Sequence, residues 1–174
     1  RAKAICAGVT GYLNTGRPSR ERVSLNEVVT GCTTLMRALL GPFGRLHVVL
    51  ADDLRPTAIN VTQVEQVLLN LAANAREAAL PGQPVRVSVQ TRNVCDASGH
   101  WAQVTLDDDG CGMSPDVQVH IFEPLFTTKG ASGGTGLGLA SVRRIIDEHH
   151  GQVFVHSAQG AGTTVVINLP HCGP

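Results

Sequence analysis

The residues of this chain able to do chemistry fall into clusters, and the first is an acidic turn. In Leu106-Asp107-Asp108-Asp109-Gly110-Cys111-Gly112-Met113 an alternating apolar run passes into two glycines. Alternation places Asp108 on the face of Val104 and Leu106, the inward one, where a carboxylate left without a donor costs at least about 1 to 3 kcal/mol. An adenine amino group is one suitable donor. A calcium loop and a plain acidic turn are the alternatives, although D-x-D-x-D-G spacing closed by a bidentate Glu is missing. The second cluster is Gly133-Gly134-Thr135-Gly136-Leu137-Gly138-Leu139, which opens into a helix. Glycines let backbone N–H groups approach a polyphosphate, and a helix terminus adds its dipole and free donors. The run has neither G-x-G-x-x-G nor G-x-x-x-x-G-K-[ST] spacing, and a flexible linker has the same composition. The third cluster is Gln66, Asn70, Asn74 and Glu77, which share one helix face by their spacing. Asn costs roughly 0.5 kcal/mol against Ala inside a helix, so two of them one turn apart need a reason. A solvated polar stripe and a ligand-binding face are both open.

These clusters need elements to hold them. Ser24 and Glu27 match a capping box, and Val28, Val29, Cys32, Leu35 and Leu39 give a helical stripe ending near Gly41-Pro42. Leu46 to Ala51 suits a strand. Asn60, with Gln63 three positions on, starts a second helix running to about Leu80, whose apolar stripe is Val64, Leu68, Leu71, Ala75 and Ala78. Val85, Val87 and Val89 alternate with polar residues, as do Ala102, Val104 and Leu106, which predicts two paired strands with one buried face. The Gly, Ser and Thr content from Thr127 to Gly136 predicts a flexible loop before a helix from Leu137 to about His149. Gln152 to His156 and Thr163 to Leu169 flank Gly160-Ala161-Gly162 as a closing hairpin. The order of elements predicts an α+β fold, a two-layer α/β sandwich with a mixed sheet.

Composition narrows the function. The chain has 174 residues, the size of one domain, with 14 basic and 14 acidic residues, so no overall field draws it to nucleic acid or anionic lipid. No apolar run approaches the ~20 residues that span a bilayer, and the expected station is the cytoplasm. Its five cysteines are scattered and never in a C-x-x-C pair, so neither a disulfide framework nor a zinc site follows.

Taken in order, the Asn-bearing helix, the D-x-G-x-G turn, the Phe122 to Lys129 segment and the glycine-rich loop resemble the N, G1, F and G2 boxes of one family. This is the ATP-binding catalytic domain of sensor histidine kinases, within the wider group that includes DNA gyrase, the large heat-shock chaperones and mismatch-repair ATPases. The resemblance covers about Ser24 to Pro170, including Gly160-x-Gly162-Thr163-Thr164. It implies a Bergerat-type fold over residues 24–171, with residues 1–23 as the end of an upstream dimerisation and phosphoacceptor hairpin and its linker. It also implies ATP and Mg2+ as cofactors.

Residue by residue, Asn74 resembles the family's magnesium ligand and Asp108 its adenine-reading carboxylate. Asn70 shares the nucleotide face. Gly110 and Gly112 would shape the adenine pocket, and Thr163 would help hold adenine through water. Phe122 and Phe126 would anchor a lid that continues through Thr127 and Thr128, and Lys129 would neutralise the terminal phosphate. Gly134, Thr135, Gly136, Leu137, Gly138 and Leu139 would form the phosphate side. Glu77 stands where the family often has a basic residue, leaving Arg76 as the substitute. Asn70 stands where ATP-hydrolysing relatives carry a water-activating Glu, so the implied acceptor is a histidine. None of His47, His100, His120, His149, His150, His156 or His171 has the acceptor context, an H-E pair or similar followed by an apolar residue. The resemblance thus implies a monomeric catalytic piece of a longer, homodimeric kinase. Its partners would be the parent's helical hairpin and, indirectly, a response regulator, with no nucleic acid and no membrane contact by this piece. A nucleotide-sensing module without catalysis, and an ATPase or serine-directed kinase of the same fold, are the alternatives.

Overall fold

The structure is a computed structural model and describes residues 19–128 and 134–172. The readings made for residues 1–18 and for Lys129 lie outside the described residues. In chain order the elements are β1 (Glu21–Val23), α1 (Leu25–Leu40), β2 (Arg45–Val49), β3 (Thr57–Ile59), α2 (Val61–Glu77), β4 (Arg86–Asp96), β5 (Gly99–Asp108), α3 (Pro115–Gln118), α4 (Gly138–Glu148), β6 (Gln152–Ser157) and β7 (Thr163–Pro170).

Ser24 caps α1, but its hydroxyl accepts the Asn26 N–H at 3.2 Å, not the Glu27 amide that a capping box uses. Leu25, Val28, Val29, Cys32, Met36 and Leu40 keep close to the 3.6-residue period and are buried, whereas Leu35, read into the stripe from sequence, is 56% exposed. It lies 100° round the helix from Met36. Burial pushes the Cys32 thiol up to about 11, making it part of the core and not a reactive group. On α2, the Asn60 carboxamide accepts the Gln63 N–H at 2.9 Å. This helix stops at Glu77, short of Leu80, and Ala78 serves as its C-cap. Val64, Val67, Leu68, Leu71, Ala72 and Ala75 are buried, each large side chain contributing roughly 1.5 to 3 kcal/mol relative to exposure.

Five strands form one sheet in the order β2-β4-β5-β7-β6, with β2 and β4 parallel and the other pairs antiparallel, so the sheet is mixed as expected. Residues in register line its inner face, as in the row Val48, Val89, Leu106, Val165 and Val155. These side chains share one core with the inner faces of α1, α2 and α4. The result is a two-layer sandwich in which α2 packs between α1 and α4. A second, two-stranded sheet pairs β1 with β3, three residues each and too short for alternation to reveal in sequence. Among the described residues no helix is long and apolar enough to cross a membrane.

One buried ring ties α4 to α2. His149, 2% exposed, accepts the Asn60 N–H on Nε2 at 2.9 Å and donates from Nδ1 to the Ile145 carbonyl at 2.7 Å. Both bonds form together only in the neutral Nδ1–H tautomer. Burial holds the His149 pKa below its ordinary value; the Ile145 carbonyl opposes this, the charges of Arg20 and His150 add to it, and Glu148 opposes it. The unfolded chain therefore takes up the proton first, near pH 6.5, and the stability His149 supplies is complete above that value and lost as pH falls through the lower folded one. His149→Leu leaves the Asn60 N–H unpaired and lowers stability at pH 7.5 by about 2 kcal/mol in urea unfolding. The gap between the two proteins narrows as the pH is taken from 7.5 to 5. A gap of constant size would refute the neutral, buried assignment.

Candidate functional site

Where the inner face of the sheet reaches the end of β5, its chemistry changes. The next row across the strands is Val87, Asp108, Thr163 and Ser157, polar at three positions where the preceding one is wholly apolar. It borders a cavity of about 370 Å3 walled by α2, the segment after β5 and the start of α4. Asp108, Gly112, Thr163, Asn70, Asn74 and Gly138 all line it, so residues from four separate stretches of sequence converge there.

Asp108 is only 7% exposed. Its Oδ1 accepts the Gly110 N–H at 2.9 Å, and the Thr163 backbone also donates to the carboxylate. Burial raises its pKa, the two backbone bonds lower it, and the charges of Asp107 and Asp109 raise it further, with a net upward shift. The group is thus an acceptor held in a dry wall, partly satisfied by backbone and facing the cavity. Its walls require close backbone approach. Gly112 has φ +62° and a β-carbon there would stand 1.9 Å from the Ala158 carbonyl oxygen; Gly162 has φ +81° and would place one 1.9 Å from the Asp108 carbonyl oxygen. Two backbone bonds reinforce this junction, Gly160 N–H to Cys111 O at 2.7 Å and Cys111 N–H to Ala78 O at 2.8 Å.

At the other end α2 meets α4. The Asn70 carboxamide donates to the Gly138 carbonyl at 3.5 Å, and a β-carbon at Gly138 would lie 3.5 Å from Asn74 Oδ1. The Asn74 carboxamide makes no hydrogen bond among the described residues, so its oxygen is available to a ligand. Gly138 opens α4, whose first-turn N–H groups face the anion-binding direction of the helix dipole. Of the polar stripe on α2, the half-buried Asn70 and Asn74 form cavity wall and the exposed Glu77 borders it, whereas Gln66 is exposed and lies outside. Thr128, Gly134, Thr135, Gly136 and Leu139 line the cavity too, as do Phe126 and Thr127, and the Leu125 N–H donates to the Gly136 carbonyl at 3.0 Å, joining the two flanks.

Several sequence-read positions stand elsewhere. Gly110 backs the wall, against Ala78, without lining it. Phe122 packs on the core with Arg143 5.7 Å from its ring centre, and Leu137 is half exposed; neither lines the cavity. Arg76 turns away, donating from Nη1 to Leu39 O at 2.8 Å, and so is not at the phosphate end. Sequence reasoning missed Met113, Val117 and Ile121, which add apolar wall, although Ser114-Pro115 is a legible helix start. It also missed Gln118 and Ser157, which hold the turn after β5 from behind: Gln118 Nε2 donates to Met113 O at 3.1 Å and Ser157 O at 2.9 Å. Among the described residues no three His, Cys, Asp or Glu side chains gather to hold a metal. The Asn74 carboxamide oxygen is a hard oxygen donor of the class that Mg2+ accepts, and such an ion would need a ligand's own oxygens and waters to complete its shell.

Comparisons agree with this arrangement. Residues 59–172 match the family described as histidine kinase-, DNA gyrase B-, and HSP90-like ATPase. The sensor kinase CckA of Brucella abortus is 36% identical over 161 residues, covering 86% of this chain and 17% of its own length. The signal transduction histidine-protein kinase AtoS of Escherichia coli is 36% identical, covering 86% of this chain and 24% of its own length. The mycobacterial sensor histidine kinase MprB structure superposes with a TM-score of 0.70 at 25% identity, covering 89% of this chain and 99% of that one. The chain thus spans a quarter or less of these two sequence relatives.

The backbone approaches supply a test independent of any ligand. Gly112 and Gly160 both have positive φ, but a β-carbon at Gly160 meets nothing within 4 Å. Gly160→Ala should cost about 1 kcal/mol of backbone strain, and Gly112→Ala several times more because carbonyl groups must move. Thermal melts giving equal losses would contradict the close packing of this junction.

Proposed function

The chain belongs to the histidine kinase-, DNA gyrase B- and HSP90-like ATPase family, and on that premise we propose that it binds magnesium-bound ATP and transfers the γ-phosphoryl group to a histidine on a separate helical domain. What carries this reading is the polarity of one cavity, with the buried acceptor Asp108 at one end and carboxamides beneath a helix N-terminus at the other. Asp108 accepts from the adenine amino group; guanine turns a carbonyl oxygen to the same place, so acceptor meets acceptor and GTP is rejected. Asn74 would hold Mg2+, whose role is to neutralise and orient the phosphates. The first-turn amides of α4 receive phosphate oxygens, and Lys129 is assigned to the terminal one. Phosphoryl transfer needs this neutralisation and alignment more than covalent help from the protein.

Asn70 favours a protein acceptor over water. It stands one turn before Asn74, on the cavity wall, and a carboxamide cannot act as a carboxylate general base. In the transfer the bond to the ADP oxygen breaks as a histidine nitrogen takes the phosphorus. The acceptor hairpin, dimerisation and relay to a response regulator belong to the longer protein that this reading assumes, working in the cytoplasm where ATP is supplied.

Asp108→Asn should weaken ATP binding by about 2 kcal/mol with or without magnesium, whereas Asn74→Ala should remove chiefly the magnesium-dependent part. Calorimetric titrations with equal losses in both conditions would break that division of labour. With γ-labelled ATP the chain alone should neither label itself nor release phosphate appreciably. Adding a histidine-bearing helical hairpin in trans should yield weak labelling, acid-labile and alkali-stable, weak because the tether that raises effective concentration is absent. Acid-stable labelling of the chain alone, or brisk phosphate release, would shift the assignment to a serine-directed kinase or an ATPase.

A further inference from the structure

Resting on the nucleotide reading above, we propose that Ser157 is a positioning residue that sets base specificity, by taking the Thr163 hydroxyl proton and so making Thr163 a hydrogen-bond acceptor toward the cavity. The protons at Ser157 fix the direction of each bond. Ser157 Oγ has three partners: the Met113 N–H at 2.9 Å, the Gly162 carbonyl at 2.8 Å and Thr163 Oγ1 at 3.0 Å. A hydroxyl offers one donor and two acceptor positions. The Met113 amide can only donate and the Gly162 carbonyl can only accept, so the single Ser157 proton goes to Gly162. The contact with Thr163 then closes only if Thr163 donates its own proton to Ser157. What remains on Thr163 Oγ1, a cavity-lining residue, is lone pairs.

Register makes this consequential. Ser157, Thr163 and Asp108 are in one row across β6, β7 and β5. Without Ser157, the Thr163 proton is free to turn to the neighbouring Asp108 carboxylate, occupying the acceptor that a ligand amine needs. With Ser157, the floor offers carboxylate and hydroxyl lone pairs together, matching the two N–H bonds of an exocyclic amine, reached directly or through a water. Ser157 also holds the turn through Met113 and Gly162; its third contact, with Thr163, gives the side chain a role beyond shape.

The probes are ATP and purine riboside triphosphate, which has hydrogen in place of the 6-amino group, each titrated calorimetrically with magnesium against the whole chain. Wild type should prefer ATP. Ser157→Ala should reduce that preference by about tenfold, the scale of one hydrogen bond to a charged or polarised group. Thr163→Val, which leaves Ser157 in place, should reduce it comparably, and the double variant should add little to either. Equal weakening of both nucleotides by Ser157→Ala, with the preference kept, means that Ser157 only shapes the loop and overturns the proposal. An undiminished preference in Thr163→Val overturns it too, even where Ser157→Ala fails to fold. Failure of the wild type to bind either nucleotide rejects the nucleotide reading itself, an outcome separate from the other two.

Discussion

A carboxylate on the apolar face of a sheet has to be given donors or moved, and much of this molecule follows from keeping Asp108 where it is. Two backbone amides, from Gly110 and Thr163, supply part of what water would. To bring those amides in, the turn after β5 and the β6–β7 turn must meet closely, which is why Gly112 and Gly162 lie against carbonyl oxygens. The remaining capacity of the carboxylate faces a cavity, and burial raises its pKa because the two amides do not replace full hydration. An incompletely satisfied buried acceptor is a cost to folding that a donor ligand relieves. Structure and recognition are in this sense one constraint.

The helices position the opposite end of the cavity. α2 carries its apolar stripe into the core and its carboxamides toward Gly138, and α4 begins at that same point. His149, at the far end of α4, bonds the amide of Asn60, the residue that caps α2. Side-chain bonds thus join α2 to both ends of α4, which fixes the N-terminus of α4 relative to the Asn70 and Asn74 face. A charge-stabilising site gains from such rigidity because donors already in place need no reorganisation.

Legibility followed the reach of local patterns. Asp108 was placed inward by alternation over Val104 and Leu106, and the Asn70 and Asn74 face by helical periodicity; both signals are local and both faces are real. Leu35 was misread because two apolar stripes overlap on α1, and packing against α2, a tertiary fact, selects Met36 and Leu40. β1 and β3 were missed because three residues carry no period. Ser157 and Gln118 escaped because their roles come from contacts with residues 44 and 39 positions away, and neither residue type announces such a partnership. Arg76 was assigned by charge and sequence position, whereas its direction on the helix sends it to the end of α1.

The placement of the carboxylates bears on which chemistry the cavity favours. Among the described lining residues the carboxylates are Glu77 and Asp108. Asp108 lies by Gly110 and Thr163, and Glu77 shares the α2 face of Asn70 and Asn74, about one turn beyond Asn74. Asn70 and Asn74 are the side chains set against Gly138, where α4 begins. Carboxamides can orient and coordinate there but cannot remove a proton from water. A histidine nucleophile attacks through a neutral ring nitrogen, so the histidine acceptor proposed above does not depend on a carboxylate at position 70.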